Sequence, residues 1–242
     1  MGLTIISGGV GGVGKSFTAA GLGEYLIGKG IPPVIIEADV HQNVASYFSS
    51  TPEVKVHKAD LSVADGWIYF LNILGSEQSP EIIVSMPASD NLDDEERSGL
   101  IATVAADMDR PTSIIWMLSS SSEGTAELGR VQRVFGGSRV KCVAALNAFW
   151  ADPRAFPNWT GTKTRDAFLK SGGFEMVIPK LNKVAVDATF KHHPKVRFSA
   201  NGESGLAYGE RIECRRWLTK FALAFDEIGP KIGIGEKVAV SA

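Results

Sequence analysis

The 242-residue chain carries 25 Lys and Arg against 27 Asp and Glu, a formal net charge of −2, with 44% hydrophobic and 21% charged residues. That length and composition suit one α/β domain, or at most two small ones, with a large core. The charge balance excludes a generally basic nucleic-acid coat but leaves room for a local basic patch.

The chain alternates short apolar runs with helix-like stretches, the pattern of a doubly wound, mostly parallel sheet with helices on both faces. Strands are expected at Leu3–Ser7, Pro33–Glu37, Glu81–Ser85, Thr112–Leu118, Val140–Leu146 and Phe174–Ile178, with Glu53–His57 as a weaker edge strand. They are rich in Ile and Val and alternate little, as strands buried on both faces do. Helices are expected at Ser16–Gly28, Asp65–Leu74, Leu92–Asp107, Glu123–Phe135, Thr162–Ser171 and Leu206–Ile228. In the last, Leu218, Phe221, Ala222, Phe225 and Ile228 fall on one stripe. Residues 1–229 therefore read as one domain and 230–242 as a flexible tail. Cys142 and Cys214 read as buried thiols of a reducing cytosol. There is no secretory leader pattern and no apolar run approaching ~18 residues, so a cytoplasmic protein without a membrane span is expected.

One stretch organises the rest. Between the first strand and first helix, Gly9-Val10-Gly11-Gly12-Val13-Gly14-Lys15-Ser16 fits the phosphate-loop template G-x-x-x-x-G-K-[ST]. Glycines there let backbone N–H groups approach a phosphate, and the helix N-terminus beyond them adds positive potential. Lys15 is placed to reach β- and γ-phosphates, and the Ser16 hydroxyl to sit on Mg²⁺. The second strand runs out into Glu37-Ala38-Asp39. Ligands gather at the carboxyl ends of strands in such sheets. If the strand persisted, the two carboxylates would share one side, one for the Mg²⁺ water shell and one for the attacking water.

These residues carry a family resemblance. Val10-Gly11-Gly12-Val13-Gly14-Lys15-Ser16 resembles the deviant Walker A motif K-G-G-x-G-K-[ST] of ParA/MinD P-loop ATPases. Asp39, 24 residues after Lys15, matches the second Asp of that family's D-x-D pair, and Glu37 the first. Val140 to Asn147 resembles the later strand ending in a base-contacting Asn, and Val177-Ile178-Pro179-Lys180 with Val184 and Asp187-Ala188 resembles the segment beside the adenine. Within that family, Gly14-Lys15-Ser16-Phe17 followed by the stretch through Asp39 and Ala45-Ser46-Tyr47 most resembles plasmid transfer and stability ATPases of the TraL type. The resemblance implies the P-loop NTPase fold, with ATP or ADP and Mg²⁺ as ligands. Nucleotide would be held by Gly9 to Ser16 with Phe17, Asn147 and Pro179, and metal by Ser16, Glu37 and Asp39. Lys15 and Asp39 would be the catalytic groups. It also implies a homodimer and a protein partner in plasmid partition or transfer.

Three departures bear on hydrolysis. The family's signature lysine, which crosses the dimer interface, falls at Val10; the Walker B Asp falls at Ser85; and Glu37 replaces an Asp. A trans charge of that kind is worth roughly 10³ to 10⁵ in turnover. The missing groups act on charge developing in the transition state, so their loss lowers rate more than affinity. The resulting expectation is a nucleotide-controlled switch, a weak ATPase at most. Two other readings stay open: a non-hydrolysing scaffold with the same fold, and another P-loop ATPase such as a ligase or metallocentre-insertion enzyme. Lys191 to Arg197, with Arg211, Arg215, Arg216 and Lys220, concentrates positive charge that could face DNA non-specifically. Asn91 to Arg97 reads as an acidic helix start, and Phe149 and Trp150 as either a cover for the base or core packing.

Overall fold

In the computed structural model the described residues are 2–39, 44–88, 92, 95–108, 110–136, 138–192, 196–199 and 205–235. Seven strands form one sheet: β1 Gly2–Ser7, β2 Val34–Glu37, β3 Lys55–Lys58, β4 Glu81–Ser85, β5 Thr112–Leu118, β6 Val140–Asn147 and β7 Phe174–Ile178. Their order is β3-β2-β4-β1-β5-β6-β7, and every neighbouring pair is parallel. β1 lies at the centre because both its faces are apolar. Ile6 faces one helical layer while Leu3 and Ile5 face the other. The same alternation, with both sides buried, runs through Ile35 against Val34 and Ile36, and Ile83 against Ile82 and Val84. A continuous apolar run in the sequence is the consequence.

One face of the sheet carries α1 (Lys15–Gly28), α2 (Val44–Tyr47), α7 (Lys183–Asp187) and α8 (Tyr208–Ile232). The other carries α3 (Ala64–Ser76), α4 (Glu95–Asp107), α5 (Ser122–Phe135) and α6 (Lys163–Lys170). The expected strands and long helices are present, with ends displaced by a few residues. The short α2 and α7, a 3₁₀ turn at Pro153–Ala155 and a π turn at Ala188–His192 have no counterpart in the sequence reading. The acidic start expected at Asn91 to Arg97 lies largely outside the described residues, and α4 begins at Glu95. Cys142 and Cys214 are buried and not disulfide-bonded. Burial pushes the Cys142 thiol up to about 12, so it is protonated and unreactive near neutrality.

α8 buries Cys214, Trp217, Phe221, Phe225, Ile228 and Ile232 in a 3–4 residue repeat. It meets α1 closely because Gly21 lacks a side chain: a Cβ there would stand 2.7 Å from the Trp217 ring and 2.9 Å from Phe221. The domain boundary expected at Gly229 falls inside this helix, which continues through Pro230 to Ile232. Proline removes one intrahelical hydrogen bond. Burial of Ile232 and Ile234, about 1.5–3 kcal/mol each, offsets that loss. The end is closed by the Ile234 N–H donating to the Gly229 carbonyl at 2.9 Å, and Glu81 accepts from the Gly235 N–H at 2.9 Å. Residues 236–242 of the expected tail lie outside the described residues.

Candidate functional site

The loop between β1 and α1 occupies the carboxyl end of the central strand, where order passes from β4 to β5 across β1. That is the switch point at which open α/β sheets bind ligands. Gly14 caps α1 with φ 106°. A Cβ there would stand 2.7 Å from Asn147 Nδ2, so conformation and space both demand glycine. At Gly12, also at positive φ, nothing lies within 4 Å of where a Cβ would be, and the backbone faces open space. Lys15 is buried and its ammonium donates to the carbonyls of Gly8 at 3.1 Å and Val10 at 3.3 Å. The cation is thus folded over its own loop. Ser16 and Phe17 follow in the first turn of α1, whose leading N–H groups have no intrahelical acceptor. These residues fit a polyphosphate: a glycine-lined backbone, a cation at the rim and a helix N-terminus.

A cleft of about 300 Å³ opens beside the loop. Gly12, Gly14, Ser16 and Phe17 line it on the loop side, Asn147, Phe149, Trp150 and Pro179 on the other, with Leu181, Val186 and Phe190 completing the wall. The structure therefore brings together the loop, Asn147 and Pro179 as the sequence reading expected. Leu181, Val186 and Phe190 were missed. Phe190 sits on the π turn, where no helical period marks it. Asn147 is also held within the protein: Nδ2 donates to the Val13 carbonyl at 2.8 Å, and Oδ1 accepts from the Phe149 N–H at 3.0 Å. It braces the loop against the end of β6. Val10 and Val13 pack on the core beneath the loop.

The acidic residues separate. β2 stops at Glu37, so Glu37 and Asp39 do not share a strand face. Glu37 is wholly buried. Oε1 accepts from the Val44 N–H at 2.7 Å, and Oε2 lies 3.5 Å from Lys58 Nζ. Burial pushes its carboxyl above 4.5, against the Val44 N–H and Lys58, which pull it down. In this arrangement the carboxylate ties β2 to α2 through Oε1, while Oε2, near Lys58 of β3, is buried without a hydrogen-bond partner among the described residues. Asp39 is half-buried two residues beyond β2, next to residues 40–43, which lie outside the described set. Ser85 is buried at the end of β4, registered against Ile6 and Glu37, and the segment after it passes the loop, with Ala88 Cβ 4.0 Å from a Cβ built on Gly11. Sequence reasoning also missed Glu127 of α5. Its carboxylate lies against Gly9 so closely that a Cβ there would meet it. The two are far apart in the chain, and no local pattern joins them.

The expected basic surface is smaller than its sequence suggests. Arg197 turns inward and grips Glu24 of α1 with Nε at 2.9 Å and a terminal nitrogen at 2.8 Å. Arg216 pairs with Glu213 at 2.6 Å, and Arg211 donates to the Leu206 carbonyl at 2.6 Å. Arg215 and Lys220 remain exposed on α8, while the side chains of residues 191–195 lie outside the described set. Among the described residues no group of three or more His, Cys, Asp or Glu could hold a metal ion, and no helix is long and apolar enough to cross a membrane.

Fold and loop together define a seven-stranded parallel α/β domain of the P-loop NTPase class. No protein-family model matches the chain. It is 22% identical over 214 residues to Protein MobD of Acidithiobacillus ferrooxidans, a match that spans 88% of this chain and 91% of MobD. Among solved structures it is similar to the septum site-determining protein MinD of Pyrococcus horikoshii OT3, complexed with Mg-ADP, with a TM-score of 0.59 at 15% identity over 98% of this chain and 99% of that one. It is also similar to the MinC:MinD cell division complex of Aquifex aeolicus, with a TM-score of 0.56 at 14% identity over 100% and 99%. The fold is therefore the MinD/ParA-type P-loop fold, as the sequence resemblance implied.

Proposed function

We propose that this protein is a nucleotide-controlled switch that binds ATP or ADP with Mg²⁺ at Gly9 to Ser16. The observation that carries the reading is the glycine-lined loop with the Lys15 ammonium at its rim, opening directly onto a cleft of about 300 Å³. Lys15 holds the phosphates, Ser16 the metal, and Asp39 positions the attacking water. Mg²⁺, when bound, neutralises charge on the β- and γ-phosphate oxygens. Phe17, Asn147 and Pro179 bound the nucleoside side. Support for the ligand pair comes from the MinD neighbour complexed with Mg-ADP.

Valine at position 10 and Ser85 at the end of β4 supply no charge to a transition state, so hydrolysis is slow or conditional on a partner. We place the switch in plasmid partition, stability or conjugative transfer, on the likeness to MobD and on the TraL-type stretch around Asp39. Its partners are a second copy of the chain, a protein of that system and, through Arg215 and Lys220, non-specific DNA. Light scattering coupled to size exclusion, run without nucleotide, with ADP and with ATP plus Mg²⁺, tests this. Dimers with ATP alone are expected; an unchanged monomer in all three conditions overturns the switch in favour of a silent scaffold.

A further inference from the structure

A second concavity, of about 640 Å³, lies between α1 and α8 and shares no lining residue with the cleft. On α8 it takes Arg215, Leu218, Thr219, Ala222, Leu223 and Asp226, positions that recur every three or four residues and so lie along one side of the helix. That side is about 17 Å long, or three turns. Tyr25, Gly28 and Lys29 of α1 form the opposite wall. The walls are fixed. α1 and α8 close on each other at Gly21, and Tyr25 is held by its hydroxyl donating to Asp226 at 3.0 Å and by Phe225, with ring centroids 5.7 Å apart. The groove is open on its outer side: nothing lies within 4 Å of where a Cβ on Gly28 would be, and Leu223 is 63% exposed.

Charge and backbone chemistry decide what fits there. Four charged side chains line the groove. Lys29 pairs with Asp226 at 2.6 Å, and Glu24 is 3% exposed and gripped by Arg197. Arg215 alone of the four makes no ion pair or hydrogen bond among the described residues. An acidic group on an incoming surface therefore meets an exposed, uncompensated cation. The peptide groups of both walls are spent inside helices, and the end of α1 is closed by Lys29, Gly30 and Ile31 donating to the Tyr25, Ile27 and Leu26 carbonyls. An extended segment laid here would find no backbone partners and would leave its own peptide groups unpaired against apolar walls. A helix arrives with its peptide groups already paired. Its apolar side chains also come at the three-to-four spacing that the α8 wall presents.

We infer that the α1–α8 groove docks an acidic amphipathic helix of a protein partner, with its apolar face on Leu218, Ala222 and Leu223 over Gly28 and a carboxylate on Arg215. The inference goes beyond the nucleotide-binding reading and does not depend on it. The probe is a synthetic peptide built from the repeat Leu-Glu-Glu-Leu-Leu-Ala-Glu, about 20 residues in all so that it is helical in solution, titrated by fluorescence anisotropy. Its controls are the same peptide with Lys for every Glu, and one of the same composition scrambled so that no face is apolar. The variants are Gly28→Leu, Leu223→Asp and Arg215→Glu, all at exposed positions.

Saturable binding of the acidic peptide is expected, at least about tenfold tighter than either control. Gly28→Leu fills the groove and Leu223→Asp removes an apolar contact. Each should weaken the peptide by at least about tenfold, with unfolding temperature and Mg-ATP binding as in the native chain. Arg215→Glu should weaken the acidic peptide and strengthen its lysine counterpart. No binding of the acidic peptide, or equal binding of the scrambled one, overturns the inference. So does a loss confined to Arg215→Glu, the charge-only contact that DNA would make. Two further results overturn it by naming another occupant. One is self-association of the native chain without nucleotide that Leu223→Asp abolishes, which gives the groove to a second copy. The other is peptide binding that appears only after Val238→Asp with Val240→Asp, which gives it to residues 236–242. A native chain that binds the peptide but no nucleotide leaves this inference standing while the nucleotide reading falls.

Discussion

Glu24 is a buried charge whose removal has a calculable cost. It sits in the middle of α1, 3% exposed, and four donors converge on it: Tyr47 Oη at 2.8 Å, the two Arg197 nitrogens at 2.9 and 2.8 Å, and Ser199 Oγ at 2.8 Å. Tyr47 in turn accepts from the Phe198 N–H at 2.6 Å. This one carboxylate therefore pins the segment 196–199 and α2 to the helix that begins at the phosphate loop. Each hydrogen bond to a charged group contributes about 1.5–3 kcal/mol, but bonds sharing one carboxylate do not add. Breaking a buried pair costs about 3–5 kcal/mol. Arg197 keeps Glu53 at 3.6 Å and has 22% of its side chain exposed, which places Glu24→Ala at the lower end. We expect about 3 kcal/mol, a fall in Tm of about 6–12 °C for a chain of this size. Arg197→Ala should cost more, because it strands a carboxylate whose side chain is 1% exposed. The double variant should cost less than the sum of the two. Thermal and urea unfolding of the four proteins measures this. A coupling energy below about 0.5 kcal/mol, within the additivity error, refutes the reasoning.

Other predictions are more local. Gly21→Ala places a Cβ 2.7 Å from the Trp217 ring and 2.9 Å from Phe221; despite alanine's helix preference it should destabilise by about 1–3 kcal/mol, read by urea unfolding, and a stabilised variant would contradict the α1–α8 packing. Glu175 is lowered below 4.5: burial raises it, but Arg165 Nε at 2.7 Å and Trp159 Nε1 at 2.6 Å outweigh that. A depressed carboxyl contributes stability above its unfolded value and loses it as pH falls through the folded one. Glu175→Gln should therefore be destabilised at pH 7 by about 1–2 kcal/mol, with the gap to the native protein closing below about pH 4; a gap independent of pH would contradict the ion pair. Val10→Lys, at a half-buried position on the loop, should raise single-turnover ATP hydrolysis by at least about tenfold, part of the roughly 10³ to 10⁵ such a charge can supply, and no gain would count against position 10 as the cause of slow turnover.

The sequence reading reached furthest where one physical cause acts over a short stretch. Strands β4 and β5 were bounded to the residue, because burial on both faces leaves a continuous apolar run; β7, at the sheet edge and buried on one side only, was bounded to the residue as well. The loop was legible because phosphate contact needs glycines, a lysine and a hydroxyl at fixed spacing. α2, α7 and the π turn were not, since four or five residues are too few to display a period. The end of α8 was placed four residues short, at Ile228, because the burial of Ile232 that carries the helix through Pro230 depends on the rest of the fold. Arg197 misled for the same reason: it reads as part of a basic loop, yet its partner Glu24 lies 173 residues away. Asn147 lies in the cleft wall, and its bonds to Val13 and Phe149 belong to the tertiary structure alone.

The central claim is that the loop Gly9 to Ser16 holds a nucleotide through Lys15. Equilibrium titration of the native protein and Lys15→Ala with Mg-ATP at fixed salt tests it most directly. Saturable binding of one nucleotide per chain, abolished in Lys15→Ala while the variant's unfolding temperature stays unchanged, is the result expected. Absence of binding to the native chain, or equal binding by both proteins, would contradict it.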